Sequence, residues 1–207
     1  MQSGGEASDA SEASDAQLWS SEATMALAGR CRGVLLRGWA SRVRRRWGED
    51  APDLLRADVG VGVDTLPDHP DARAWLPVGP YLRLNEAIVA RCCAGDTAAF
   101  AAALADDARR SAGFLARTVA RRLGPERLLR QAVDAHPQLF DVGETELDGV
   151  AGDRLIRYSG ARVFDQPTWR FLQLFGLRLL IESGGADLRA CDGAARGPTT
   201  FDVRLRW

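Results

Sequence analysis

The sequence predicts an α+β fold, in which a block of N-terminal helices is followed by elements in the order β-β-α-β-β with a twisted antiparallel sheet. Three observations predict it. Apolar residues recur at three- and four-residue steps through most of the first 135 residues. Turn-bounded runs typical of strands follow from Glu144 onward. Residues 201–207 alternate strictly between apolar and polar side chains, so one face is buried and the other wet.

The first 16 residues, MQSGGEASDASEASDA, are acidic and of low complexity, and no large apolar residue lies between Met1 and Leu18. Such a segment buries too little surface to offset the entropy of ordering it. We therefore predict a disordered acidic tail over 1–16 and a single α+β domain over 17–207. Two roles stay open for the tail: a solubilising extension, or a linear motif that pairs with an arginine patch.

The periodicity predicts a long amphipathic helix over 17–47, which ends before Gly48. Its last turns carry a run of arginines, and cations there complement the helix dipole. The alternative is a patch that binds anions or nucleic acid. The net charge of −1 argues against nucleic acid as the main partner. The arginines in this run are Arg42, Arg44, Arg45 and Arg46.

Glycine, proline and aspartate dominate residues 59–75, which we interpret as a loop of unusual length. A helix is predicted over 76–93, with two prolines at its start, where a missing N–H costs nothing. Gly95 and Asp96 separate it from a long alanine-rich helix over 98–123, and a further helix is predicted over 126–135.

The C-terminal third has a different character. Residues 144–150 and 154–159 predict a β-hairpin. Residues 167–183 predict a helix so apolar that most of its circumference must be buried, against a sheet and other helices or a second subunit. A short strand over 186–191 and a final strand over 201–207 complete the predicted sheet.

Composition excludes several classes. No run of 18 apolar residues exists, which predicts no membrane span, and the first 24 residues lack the pattern of a signal peptide. The four cysteines form no CxxC pair, which favours reduced thiols and a cytoplasmic location. With only two histidines we predict no metal site. All 27 basic residues are arginine, which a GC-rich genome or selection for anion contacts would both produce.

Recognisable catalytic motifs are missing, so we predict that the chain is not an enzyme. Residues 60–63 (Gly-Val-Gly-Val) lack the spacing and the lysine of a phosphate-binding loop. No nucleophile elbow occurs. His136 is interpreted as a helix-terminal residue and His69 as a solvated loop residue.

Two aromatic segments are candidate ligand-binding sites. In residues 75–81, Trp75 and Tyr81 either staple a helix start to the core or line the mouth of a pocket. In the apolar helix, Trp169, Phe171 and Phe175 either belong to the core or face an apolar cavity or a dimer partner.

The segments WLPVGPYLRL (75–84) and GPERLLRQA (124–132), together with the last forty residues, resemble an uncharacterised paralogous family abundant in myxobacteria. That family is similar to the four-vinyl-reductase domain, the heme-NO-binding domain and the small subunits of the TRAPP vesicle-tethering complex. The resemblance covers roughly residues 30–207. It implies helices on a twisted antiparallel sheet, a homodimer, and an apolar pocket or tunnel.

The sequence departs from these relatives at their functional residues. Thr199 and Thr200 stand where four-vinyl-reductase domains often carry a second cysteine. Heme-binding relatives use a Tyr-x-Ser-x-Arg motif, whereas Tyr158-Ser159-Gly160-Ala161-Arg162 has a different spacing. We therefore expect no cofactor. The leading hypothesis is a non-enzymatic module that binds or senses a small apolar molecule and acts through a dimer or a protein partner. The alternative is a TRAPP-like interaction subunit with a filled core.

Overall fold

A computed structural model describes residues 19–207, apart from the side chain of Phe114. The predicted acidic tail lies outside the described residues. Eight α-helices and six strands alternate with short 3₁₀ segments in this part of the chain. The helices are α1 (Ser21–Met25), α2 (Trp39–Trp47), α3 (Ala51–Val59), α4 (Val78–Ala87), α5 (Thr97–Ser111), α6 (Phe114–Asp134), α7 (His136–Leu139) and α8 (Pro167–Ser183). Helix α6 is kinked at Gly124, whose φ of +73° is not helical, at the predicted break between two helices. The strands are β1 (Arg30–Arg32), β2 (Trp75–Pro77), β3 (Glu144–Val150), β4 (Asp153–Ser159), β5 (Ala190–Gly197) and β6 (Thr200–Arg206).

The predicted α+β class and the β-β-α-β-β order are confirmed. Strands β3 to β6 form one antiparallel sheet in the spatial order β3-β4-β6-β5. Its two central strands place Ile156 opposite Val203 and Tyr158 opposite Phe201, and all four side chains are buried. The chain crosses from β4 to β5 through α8, which packs over the buried face of the sheet.

Helix α8 spans the predicted residues. Its first residue is proline, at a position where a backbone N–H would have no acceptor within the helix, so no hydrogen bond is lost. The Gln166 side chain accepts a hydrogen bond from the backbone N–H of Trp169 at 2.8 Å and so caps the N-terminus. These two features fix where the helix begins, and Gly184 follows its last residue.

The predicted helix over 17–47 is wrong. Strand β1 interrupts it and pairs antiparallel with β2, more than forty residues further along the chain. Gly29 has a φ of +112°, a conformation that L side chains rarely adopt. At Gly33 a Cβ would lie 2.1 Å from the Asp71 carbonyl oxygen. Non-local pairing therefore overrides the helical periodicity here.

Three other boundaries differ from the prediction. The single helix over 98–123 is instead two helices, because Ala112 is extended and ends α5 before α6 starts. The helix predicted from residue 76 starts at Val78, because residues 75–77 form β2. The strand predicted at 186–191 lies at 190–197, where it pairs with β6.

Two buried clusters make up the interior. One lies between the sheet, α8 and α6, and includes Phe140, Tyr158 and Trp169. The other lies among α2, α3, α4 and α5, and includes Trp39 and Phe100. The side chains of Tyr81 and Leu172 pack against both clusters. Two open spaces border these clusters.

Candidate functional site

The face of α8 toward the sheet is filled by aromatic rings. The Trp169 side chain is fully buried, with its ring centroid 4.7 Å from that of Phe164 and 4.9 Å from that of Tyr158. The Tyr158 contact is edge-to-face, a favourable geometry for aromatic pairs. The indole Nε1 of Trp169 has no hydrogen-bond partner among the described residues. Trp169 is therefore a core residue and lines neither of the spaces that border α8.

An inner cavity of about 300 Å³ borders another side of α8. It lies between α8, α4, α6 and α7, which is the boundary between the last long helix and the helical block. Leu172, Gln173, Gly176, Leu177 and Leu180 of α8 form one wall. The remaining lining residues are Leu35, Tyr81, Ala132, Val133, His136, Leu139, Phe140, Thr145 and Tyr158.

The inner cavity is electrically neutral. Its lining contains no Asp, Glu or Arg. Burial raises the pKa of Tyr81 and of Tyr158 above the ordinary tyrosine value, so both hydroxyls stay protonated. Burial also lowers the pKa of His136, against the hydrogen bond between its Nε2 and the Val142 carbonyl oxygen, which raises it. His136 is therefore neutral near pH 7.

A few polar atoms face this apolar lining. The Tyr158 hydroxyl donates to the Gln173 Oε1 at 3.4 Å, and the Thr145 hydroxyl donates to the Val133 carbonyl oxygen at 3.2 Å. Both distances are long for O–H donors, so these bonds are weak. Polar atoms that hold their partners loosely are able to exchange them for a ligand atom, which gives an apolar cavity orientation specificity.

An outer groove of about 940 Å³ lies near the N-terminal end of α8 and shares no lining residue with the inner cavity. Phe100 and Phe171 stack in it with ring centroids 5.9 Å apart. Its other lining residues are Trp19, Asp58, Arg83, Glu86, Ala87, Val89, Ala90, Arg91, Gly95, Thr97, Pro167 and Thr168.

The charges on the rim of the outer groove are paired. Arg91 donates to both carboxylate oxygens of Asp58, with an Nη2–Oδ1 distance of 2.6 Å. These hydrogen bonds from Arg91 lower the pKa of Asp58. Arg83 pairs with Glu86, three residues further along α4. Two acids thus offset two arginines, and the rim carries no net charge.

The five predicted ligand-binding residues occupy different places. Tyr81 lines the inner cavity, whereas Phe171 lines the outer groove. Phe175 stacks on Phe171 at 6.4 Å. Trp169 is in the aromatic core. Trp75 is in β2, where the Arg32 guanidinium lies 3.9 Å above its ring. The structure therefore brings Phe171 and Phe175 together but does not join all five in one site.

Sequence reasoning missed Gln173, Gly176 and His136 as lining residues of the inner cavity. The available signal was Gly176, a lone glycine inside a helix of bulky residues. An added Cβ there would meet no atom within 4 Å, and Gly176 is exposed, so it lies where the cavity opens to solvent. His136 does lie between two helices, as expected for a helix-terminal residue, but it is also buried against Phe140.

Residues 19–207 offer neither a metal site nor a single membrane-spanning helix. No group of three or more His, Cys, Asp or Glu side chains is arranged to hold a metal ion in this range. Within the same range no single helix is long and apolar enough to cross a membrane. The bent pair formed by 78–92 and 97–111 passes that test only when its two helices are taken together, by length and composition.

Comparisons with known proteins give one informative match. No family model matches the chain, and no curated protein matches it. A solved structure described as "Probing the function of heme distortion in the H-NOX family" superposes with a TM-score of 0.58. The match covers 85% of this chain and 94% of the other, at 12% sequence identity. At this identity the likeness shows a shared fold and does not transfer a ligand.

Proposed function

We propose that this chain is a non-enzymatic module that binds a small apolar molecule in the inner cavity. The main support for this proposal is the cavity itself, which is apolar, uncharged and placed between α8 and the helical block. Ligand sites in proteins are typically concave and apolar, with a few convergent polar groups. Tyr81, Tyr158 and Gln173 supply those groups here. The fold shared with an H-NOX structure supports a small-ligand sensor.

The position of the cavity supports a sensing role. Tyr81 and Leu172 border the cavity and also pack against both buried clusters. A ligand that displaces either side chain changes the packing between the sheet half and the helical half. Because packed interiors respond to such changes by discrete shifts, ligand binding would alter the outer surface. The binding of a second subunit or a protein partner to this surface would then respond to the ligand.

The residues present do not fit the haem named for the H-NOX structure. The inner cavity has no arginine to pair with porphyrin carboxylates, and an unpaired buried charge is costly. His136 is 5% exposed, and its Nε2 lies 3.3 Å from the Val142 carbonyl oxygen. The rings of Phe140, Tyr158 and Phe164 pack around it. We therefore place a smaller, uncharged molecule in this cavity. The relationship to the myxobacterial paralogous family stays part of this proposal.

The test is native mass spectrometry on protein purified gently from its own cells, followed by denaturing mass spectrometry. Extra mass that is lost on denaturation is expected for the native chain and for Gly176→Ala. Gly176→Leu should carry no extra mass, because a leucine side chain at this exposed lining position would obstruct the opening of the cavity. A clean polypeptide mass for the native chain, or the same extra mass in Gly176→Leu, would count against the proposal.

A second candidate function, an interaction subunit, has one observation in its favour. Leu115 is 74% exposed and Val119 is 47% exposed, and their four-residue spacing places them on one face of α6. Adjacent exposed apolar side chains mark interaction surfaces. If this function holds, light scattering should show an assembly that the double variant Leu115→Ser/Val119→Ser disrupts, whatever the result of the mass measurement. A monomeric native chain would exclude self-assembly through this face.

A further inference from the structure

We propose that the outer groove is a second binding site, for an uncharged amphipathic molecule whose carbonyl oxygen accepts a hydrogen bond from Arg83. The groove and the inner cavity have no lining residue in common, so the two sites are separate. The volume of about 940 Å³ is at the upper end of the range of small-molecule sites, which reaches roughly 1,000 Å³. The proposal does not depend on the function assigned to the inner cavity.

The wall of the groove has two unusual backbone features. Helix α4 continues as a π-helical turn over Ile88–Cys92, which contributes Val89, Ala90 and Arg91 to the lining. Just beyond it, Ala94 has a φ of +52°, a left-handed conformation that is unfavourable for a residue with a Cβ. π-Helical turns and strained backbone both concentrate at functional sites. Here the π-helical turn forms part of the wall, and Ala94 directly precedes Gly95, which also lines the groove.

The groove floor is suited to an apolar chain or ring. Phe100 and Phe171 stack with an interplanar angle of 24°, and Phe175 extends the stack from Phe171. Ala87 and Ala90 also line the groove, and their side chains are short. An apolar group laid along this floor would remove both its own surface and the aromatic surface from water.

Arg83 is the polar group of the groove with an unmet hydrogen-bonding need. Its Nη1 donates to Glu86, but its Nε is buried and has no acceptor among the described residues. Glu86 has no spare capacity on its other oxygen, which accepts from Gln166 at 2.5 Å and from Thr168 at 3.1 Å. A small turn of the guanidinium toward the groove would exchange an unsatisfied donor for one that is bonded to a ligand oxygen.

The balance of charge selects an uncharged head group. Arg83 already neutralises Glu86, and Arg91 already neutralises Asp58. A carboxylate at Arg83 would sit beside the Glu86 carboxylate and be repelled by it, in a partly buried place where charge repulsion is weakly screened. A carbonyl oxygen of an ester, amide or ketone accepts the same hydrogen bond without that repulsion.

The first experiment compares methyl octanoate with sodium octanoate, which share an apolar body and differ in head-group charge. Both are titrated into the full chain at pH 7 by isothermal calorimetry. The ester is expected to bind about tenfold more tightly, the effect of one differential interaction of ordinary size. Equal or tighter binding of octanoate would overturn the uncharged head group, and so the proposal.

Two blocking variants locate the ester. Ala90→Trp fills the groove from an exposed position on its wall and should weaken ester binding more than about tenfold. Gly176→Leu blocks the inner cavity. It should leave intact the ester site that Ala90→Trp blocks, although it removes any ester that the inner cavity itself holds. The reverse pattern would place the ester in the inner cavity and overturn the groove site while leaving the proposed function intact. Ester binding that stays unchanged in Ala90→Trp would also overturn a separate groove site.

A third variant tests Arg83 itself. Arg83→Met is combined with Glu86→Gln, so that no carboxylate is left unpaired and residue 86 still accepts from Gln166 and Thr168. The double variant should bind the ester about tenfold more weakly, and circular dichroism should show an unchanged fold. Unchanged ester affinity in the folded double variant would remove Arg83 from the site and overturn the assignment. Should the double variant not fold, Ala90→Trp still decides the location.

Discussion

The two sides of α8 are built differently. The side toward the sheet is closed by aromatic rings, with Trp169 in contact with Phe164, Tyr158, Phe140 and Phe201. The side toward the helical block carries Gln173 and Gly176 and borders the inner cavity. Close packing on the side toward the sheet stabilises the fold. The side toward the helical block is less closely packed and leaves a cavity. One helix therefore serves as the centre of the core and as the wall of a binding space, and substitutions on its two sides should affect different properties.

The largest expected effect is on the closed side. Trp169→Ala should lower the free energy of unfolding by about 4 kcal/mol, because it removes a fully buried indole and leaves a cavity among rings that cannot collapse into it. Chemical denaturation followed by circular dichroism measures the change. The free indole N–H limits the cost slightly, since no hydrogen bond within the described residues is lost with it.

Phe175→Ala is the matched control, because Phe175 is on the same helix but only partly buried. Its loss should cost about 1 to 2 kcal/mol, since it removes a stacked contact with Phe171 and part of the apolar burial. Equal costs for the two substitutions would mean that the packing around Trp169 contributes no more to stability than the packing around Phe175.

The same division explains how much of the structure was predictable. Residues of α8, β3, β4 and β6 pair or pack with neighbours whose own patterns are strong, so periodicity located them to within one residue or so. The helix predicted over 17–47 failed because β1 is defined by its pairing with β2, and nothing local in Arg30–Arg32 encodes a partner more than forty residues away.

The candidate site was less predictable for a related reason. Aromatic residues in the sequence indicate a pocket only ambiguously, because a large ring fills space as readily as it borders it. Trp169 fills the core, while Gly176, which was not selected, borders the cavity. Which side of α8 is open depends on where α4, α6 and α7 stop short of it, and that is a property of three-dimensional packing. The hydrophobic pattern of a sequence predicts which residues are buried, but it does not predict where a cavity lies between them.

The next expected effect is a pH dependence at His136, whose pKa is lowered by burial. The unfolded chain binds the proton near the ordinary pKa of 6.5, whereas the folded chain binds it only at a lower pH. Stability is therefore fully present above about 6.5 and falls as the pH drops toward the depressed folded-state pKa. Denaturant titrations should show the native chain losing about 1 kcal/mol more than His136→Gln between pH 7 and pH 5.

An equal loss in both proteins would mean that His136 is protonated without penalty in the folded state, so that the inner cavity is not closed to a charge. His69→Gln is the control, because it removes the other histidine of the chain, which is exposed. The result also bears on the proposed ligand, since a cavity that keeps an imidazole neutral favours an uncharged molecule.

The smallest expected effect separates two glycines of the α8 region. Gly176 is inside the helix and a Cβ there would meet no atom within 4 Å, so Gly176→Ala should raise the free energy of unfolding by about 0.5 to 1 kcal/mol through helix propensity. Gly184 follows the last residue of α8, and a Cβ there would lie 2.7 Å from the Pro125 nitrogen, so Gly184→Ala should be destabilising. Thermal unfolding measures both. A destabilising Gly176→Ala would show that the open side of α8 is closed in solution, and the space assigned to a ligand would then be filled by the protein itself.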